Sequence, residues 1–167
     1  ALLDLNRELN HLYRENPVLH AGDTDPAGFA WIDLHNGDQS VFAFLRRSPL
    51  HPGRPPLLCV FNCTPVPREA YWLGVPEAGT YRKVLDSDAA RFGGSGFNQQ
   101  ERVVSQLAPC QGYPCHIRLD LPPLGAQVGV ARRTQLAAQV GERDAQIVAG
   151  RVLIGLGPEQ VGEAFTT

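Results

Sequence analysis

The sequence predicts an all-β protein: an antiparallel β-sandwich preceded by one N-terminal α-helix and followed by a weakly structured tail. Three observations predict it. Between Pro26 and Val128, seven or eight short runs, alternating or continuously apolar, are separated by turn residues at the spacing of a two-sheet sandwich. Gly and Pro together number 31 (17 + 14) of 167 residues. Charged residues make up 19%, below the roughly 25% of an average globular protein, a balance that favours turns over long surface helices. Sustained helical spacing appears only at the N-terminus. A chain of this length buries roughly 70% of the surface its unfolded form exposes, so a core needs no covalent staples.

Leu2, Leu5, Leu9 and Leu12 recur at helical spacing, with Asp4, Arg7, Glu8, His11, Arg14 and Glu15 on the remaining face. This predicts one amphipathic helix, ended by Asn16-Pro17. Its stripe must meet the following sheet or stay exposed, since burial of the apolar face is what stabilises most helices. Next, Phe29, Trp31 and Asp33 are expected to point one way and Ala30, Ile32 and Leu34 the other, with Asn36-Gly37 supplying a tight hairpin. Residues 40–46 form the returning strand. Four prolines between Ser48 and Pro56 make a loop. Residues 57–61 are continuously apolar, as in a strand covered on both faces, and Thr64-Pro65-Val66-Pro67 stops them. Residues 71–75 and 80–85 make a second hairpin around Pro76 and Gly79, and a flexible loop containing Gly93-Gly94-Ser95-Gly96 follows. Residues 103–107 and 116–121 are the last strands of the pattern. In the latter, Ile117, Leu119 and Leu121 alternate with His116, Arg118 and Asp120, which predicts one wet face. Beyond Val130 prolines nearly vanish; residues 134–140 suit a short helix and 146–154 a strand or helix, both poorly packed.

A net charge of −2 provides no electrostatic footprint for nucleic acid, and the basic pairs Arg46-Arg47 and Arg132-Arg133 are isolated. No apolar run approaches the roughly 18 residues of a membrane span, and the start lacks the order of a signal peptide. The expectation is therefore no nucleic-acid partner, no membrane and a cytoplasmic location. The chain contains no Met, so either an initiator precedes Ala1 or the sequence begins inside a longer reading frame. Cys59, Cys63, Cys110 and Cys115 lack zinc-knuckle spacing and are expected as buried or semi-buried free thiols, with no metal and no cofactor. Asn62-Cys63-Thr64 matches a glycosylation acceptor, which carries no information without a secretory signal.

Glycosyl transfer needs two carboxyl groups across the scissile bond, about 5 Å apart in retaining enzymes. The carboxylates at 23, 25, 33, 86 and 88 fall in turns or at strand ends and suggest no such pair, so no catalytic residue is assigned. Gly93-Gly94-Ser95-Gly96 lacks both the Lys and helix of a phosphate loop and the last Gly of a nucleophile elbow. Cys115 and His116 are strand neighbours that point to opposite faces, so they make no Cys-His pair. Trp31 has two readings. Beside Phe29 in a strand it fits a core, while a flat indole with a polar edge also stacks on sugar rings. Trp72, between Tyr71 and Leu73, has the same two readings, with the core one favoured more strongly.

Leu5-Asn6 with Leu12-Tyr13-Arg14-Glu15 is followed by Asp25-Pro26-Ala27-Gly28-Phe29-Ala30-Trp31-Ile32-Asp33, Phe44-Leu45-Arg46-Arg47, Asn62-Cys63-Thr64-Pro65-Val66-Pro67-Arg68, Tyr71 with Gly74-Val75-Pro76, Val84-Leu85-Asp86-Ser87-Asp88, Gly93-Gly94-Ser95-Gly96 and Leu121-Pro122-Pro123-Leu124. In this order the strings resemble bacterial glycogen branching enzymes of the α-amylase family, the first of them being similar to the last helix of their catalytic barrel. The resemblance covers about residues 3–126. It implies a C-terminal β-sandwich of the α-amylase type, with residues 1–20 as the last helix of a barrel, 21–128 as the sandwich and 129–167 as an atypical tail.

The resemblance further implies that the catalytic carboxylates belong to a barrel upstream of Ala1, so this chain is an accessory piece, inactive alone. Its implied partners are α-glucan (glycogen or amylose) and the catalytic barrel. The family's Trp in the Gly-Phe-x-Trp-Ile motif lies near bound oligosaccharide, which implies a glucan-binding role for Trp31. One departure stands out. Where the family closes on an apolar strand, this chain reads Gly125-Ala126-Gln127-Val128-Gly129-Val130 and runs on to Thr167, either as an extension or as translation out of frame. The rivals are a free-standing glucan-binding module and an interaction domain using the Leu2, Leu5, Leu9 and Leu12 stripe.

Overall fold

A computed structural model describes residues 1–133. Helix α1 spans Leu2–Glu15 and stops where the Asn16 side chain donates to the Leu12 carbonyl (2.8 Å), just before Pro17. Of its leucine stripe only Leu12 is buried; Leu2 is 78% exposed and Leu9 43%. The stripe therefore finds only part of a partner surface within the described residues.

Eight strands follow: β1 (Phe29–Asn36), β2 (Val41–Arg46), β3 (Leu57–Asn62), β4 (Arg68–Val75), β5 (Gly79–Asp86), β6 (Arg102–Val104), β7 (Cys115–Leu121) and β8 (Ala126–Arg133). They form an antiparallel six-stranded sheet, β1-β2-β3-β8-β5-β6, and a two-stranded sheet, β4-β7. The predicted all-β sandwich is present. Ile32, Val41, Ala43, Leu45, Leu58, Val60, Tyr81 and Ala131 of the large sheet share one core with Leu73, Val75, Cys115, Ile117 and Leu121 of the small one. Burial of these side chains, each contributing roughly 1.5–3 kcal/mol for the larger ones, is what holds the two layers together.

In β3 the continuous apolar run is buried on both faces, as its composition predicts. Leu58 and Val60 join the core, while Leu57 and Cys59 face the other way and are buried too. That second face is roofed by the segment after α1: Arg46, at the end of β2, donates to the Leu19 carbonyl (3.2 Å) and pairs with Asp23. Burial pushes the Cys59 thiol up to about 12, partly offset by the Arg46 charge. All four cysteines are free, and Cys63 is exposed, where a buried or semi-buried thiol was expected. The Thr64-Pro65-Val66-Pro67 stop is organised by Asn62, whose buried side chain donates to the Val66 (2.8 Å) and Pro122 (2.9 Å) carbonyls.

The structure departs from the sequence pattern in several places, each with a local cause. The first hairpin does not turn on Asn36-Gly37. The turn lies at residues 37–40 with Ser40 left-handed (φ 48°), while Asn36 stays in β1 opposite Val41 and its side chain donates to the Tyr71 hydroxyl (2.7 Å). A β-bulge between Trp31 and Asp33 breaks the alternation of β1, so Asp33 pairs with the inward-facing Ala43 and is buried, whereas Leu34 is exposed. Strand β6 ends at Val104 instead of residue 107. The backbone at Gln106 leaves β5 and bridges to His116 of β7. Strand β8 runs through Arg133, in the centre of the sheet between β3 and β5, so the atypical 125–130 segment still supplies a fully paired strand. The tail elements expected at 134–140 and 146–154 lie outside the described residues.

Gly93-Gly94-Ser95-Gly96 is not a loose loop. Asp88 accepts from the Ser95 amide (2.8 Å), the Ser95 hydroxyl (2.6 Å) and the Phe97 amide (3.1 Å), and the Gly96 amide donates to the Asp88 carbonyl (2.8 Å). Partial burial works to raise the Asp88 carboxyl, but these donors outweigh it and hold it below the ordinary value of 3.8. A carboxyl lowered by folding contributes stability above its unfolded value, and the contribution is lost as pH falls through the folded value. We therefore expect the Ser95 and Phe97 amides to lose exchange protection below pH 3.8, and Asp88→Asn to weaken that protection at neutral pH, both read by amide hydrogen exchange.

Candidate functional site

Alternation along three adjacent strands puts Phe29 and Trp31 of β1, Phe42 and Phe44 of β2 and Phe61 of β3 on the sheet face opposite the core. Cross-strand register then brings the rings together: Trp31 pairs with Phe44, and Phe42 with Phe61. Trp31 stands edge-to-face against Phe29 (centroids 4.9 Å, 83°) and Phe44 (5.8 Å, 85°). Phe44 continues onto Phe61 (5.8 Å), which stacks on Phe42 (4.6 Å, 9°). The core reading of Trp31 is overturned. It is 46% exposed at the end of an aromatic ladder whose phenylalanines are half-buried.

Behind Trp31 lies a polar seam that joins the two sheets. The β1 bulge turns Asp33 toward β4, where its Oδ2 accepts from the Tyr71 hydroxyl (2.5 Å), Gln111 Nε2 (2.8 Å) and, more weakly, Asn36 Nδ2 (3.4 Å). Burial, then the hydrogen bond to Asp33, pushes the Tyr71 hydroxyl well above its usual value, so it stays a donor. Gln111 also accepts from the Gly74 amide (2.8 Å) and reaches the Trp72 carbonyl (3.4 Å). Tyr113 donates to the Trp31 carbonyl (3.1 Å). The turn from Cys110 to Tyr113, closed by reciprocal backbone bonds of 3.0 and 2.9 Å, thus grips the backbone at both tryptophans.

Trp72 and His116 also lie in surroundings opposite to those the sequence pattern predicts. His116 was expected on a wet face but is 1% exposed. The residue 105–110 segment folds over it, with His116 Nδ1 3.1 Å from the Ala108 carbonyl, and the Trp72 indole stacks on it at 4.4 Å and 4°. Trp72, expected in the core, is 49% exposed. The signal was available: Leu73 and Val75 take the inner face, so Trp72 and Gly74 must take the outer one. Cys115 joins the core while His116 lies on the other face, which keeps the two apart as expected.

The two buried carboxylates among the described residues are both engaged as acceptors. Asp33 sits in the seam, and Asp86 at the end of β5 accepts from Lys83 (3.4 Å), the Asp88 amide (3.0 Å) and Gln127 (3.4 Å). Among the described residues no group of three or more His, Cys, Asp or Glu is placed to hold a metal ion. No helix among them is long and apolar enough to cross a membrane.

The model of a known family, described as alpha amylase, C-terminal all-beta domain, matches residues 31–131, from the exposed indole through the closing strand. Three curated relatives are named 1,4-alpha-glucan branching enzyme GlgB. They come from Thiobacillus denitrificans (45% identical over 122 residues), Cereibacter sphaeroides (46% over 121) and Pseudomonas aeruginosa (47% over 122). Each alignment takes in 72–73% of this chain but 16% of the relative, so the chain spans about a sixth of their length. With the family model covering most of the sandwich, this chain belongs to the family of alpha amylase C-terminal all-beta domains.

Proposed function

We propose that this chain is the accessory C-terminal domain of a 1,4-alpha-glucan branching enzyme, which moves α-1,4-glucan segments into α-1,6 branches, and that it contacts the glucan at Trp31 without itself making or breaking bonds. The observation that carries the reading is the 45–47% identity to branching enzymes over nearly three quarters of the chain. The site chemistry supports it: an exposed indole held edge-on by Phe29 and Phe44 loses little freedom when a pyranose ring settles on it. The cleavage step needs a nucleophilic carboxylate and an acid/base partner across one bond. Asp33 and Asp86, each committed to its own donors, do not supply them.

In this reading residues 1–20 are the closing helix of the catalytic barrel, and the exposed Leu2, Leu3, Leu9 and Tyr13 are the side chains that would pack against it. The glucan-contacting sandwich begins at residue 21 and runs past the expected boundary at 128, because β8 continues through Arg133, which leaves residues 134–167 as the atypical tail. Incubated with amylose, the purified chain is expected to create no α-1,6 linkages detectable after debranching; new linkages would refute the non-catalytic reading. Trp31→Ala is expected to weaken maltoheptaose binding about tenfold, roughly 1.4 kcal/mol, in titration calorimetry, with unchanged thermal stability. A chain that binds as tightly without Trp31 would remove the residue from the reading.

A further inference from the structure

We propose that Trp72 and the groove beside it form a second α-glucan site, on the outer face of the two-stranded sheet and separate from the aromatic ladder of Trp31. The proposal rests on the reading that this domain meets α-glucan, and it adds where else a chain is held. Trp72 is 49% exposed on the outer face of β4. Its ring is fixed rather than loose. The indole lies parallel on the His116 imidazole (4.4 Å, 4°), and the Arg118 guanidinium sits 4.8 Å from its centroid. His116 beneath is sealed from solvent, and the exposed half of the indole is what its contacts with His116 and Arg118 leave uncovered. An indole already immobilised loses little entropy when a ring stacks on it.

The groove next to this indole has a volume of about 520 Å³, and its walls include Asn36, Gln39, Arg68, Glu69, Tyr71 and Gln111. Amide, guanidinium, carboxylate and phenol groups around one aromatic plane are the complement of a pyranose, which has an apolar ring face and a rim of hydroxyls. On the groove wall Arg68 is partly fixed, its Nη2 donating to the Gln39 carbonyl (3.3 Å). Beside the groove Ala70 takes a left-handed conformation (φ 49°) with its amide on Asp120 (2.8 Å), within the β-bulge of β4 between Arg68 and Tyr71.

The chain has two tryptophans, so its indole N–H groups give two resolvable signals, assigned by Trp31→Phe and Trp72→Phe. Maltoheptaose is the probe. Both signals are expected to shift on titration, and the Trp72 signal is expected to shift still in Trp31→Ala. Trp31→Ala should retain weak binding that Trp31→Ala with Trp72→Ala loses by a further factor of about five. If the Trp31 signal moves while the Trp72 signal stays, the second site is overturned and the reading at Trp31 stands. If only the Trp72 signal moves, the second site is supported and the assignment of Trp31 is overturned. If neither moves, both are overturned.

Discussion

Replacing Asp33 with alanine is expected to lower the unfolding free energy by about 3 kcal/mol, read as a lower urea midpoint with an unchanged denaturant slope. The carboxylate is buried and gathers donors from Tyr71, Gln111 and Asn36, which come from β4, the 110–113 turn and β1. Alanine removes the shared acceptor and leaves a half-buried phenol and an amide without it. Each stranded buried donor costs about 1–3 kcal/mol, and the Asn36–Tyr71 bond recovers part of that. Asp33→Asn keeps one acceptor oxygen in place and should cost about 1 kcal/mol. Equal losses for the two variants would mean that Asp33 acts by shape alone and not as an acceptor.

Gly74→Ala is expected to destabilise the domain by about 2 kcal/mol and to loosen both tryptophans. A Cβ at this position would lie 2.3 Å from the Cys110 carbonyl oxygen and 3.1 Å from its carbon. The obstacle is backbone, not the tip of a flexible side chain, so the 110–113 turn must move away from β4. That turn holds the Trp31 carbonyl through Tyr113 and the Gly74 amide through Gln111, so its displacement breaks the seam at both ends. Indole amide exchange and fluorescence should both report the change, while Gly37→Ala, where an added Cβ meets nothing within 4 Å, serves as the neutral control.

The parts of this fold that depend on period alone were legible in the sequence. Leu2, Leu5, Leu9 and Leu12 marked the helix, the unbroken run from Leu57 marked a strand buried on both faces, and Ile117, Leu119 and Leu121 marked an inner face. What escaped depends on events that period cannot encode. A bulge after Trp31 reversed the side on which Asp33 sits, and Asn36 stays in β1, its side chain on Tyr71, outside the turn its neighbour Gly37 advertised. His116 looked wet because its cover, the 105–110 segment, comes from a distant part of the chain with no pattern of its own. The candidate site was half legible: Trp31 stood in a recognisable string, while Trp72 could have been placed outside by counting from Leu73 and Val75.

The seam gives the two exposed indoles a shared foundation. Trp31 and Trp72 belong to different sheets, yet one four-residue turn holds the backbone at both, and a buried carboxylate anchors that turn. A surface that holds a polymer without reacting with it gains from such rigidity, because ordering loose side chains at binding would oppose it by about 0.5–1.5 kcal/mol each.

Electrophoresis of the folded chain through a native gel containing amylopectin tests the central claim, that this domain meets α-glucan through its exposed aromatic ladder, most directly. The account predicts that the chain is retarded relative to a gel without polysaccharide and that Trp31→Ala recovers much of the lost mobility. Unretarded migration of the wild-type chain, or equal retardation of the variant, would contradict it.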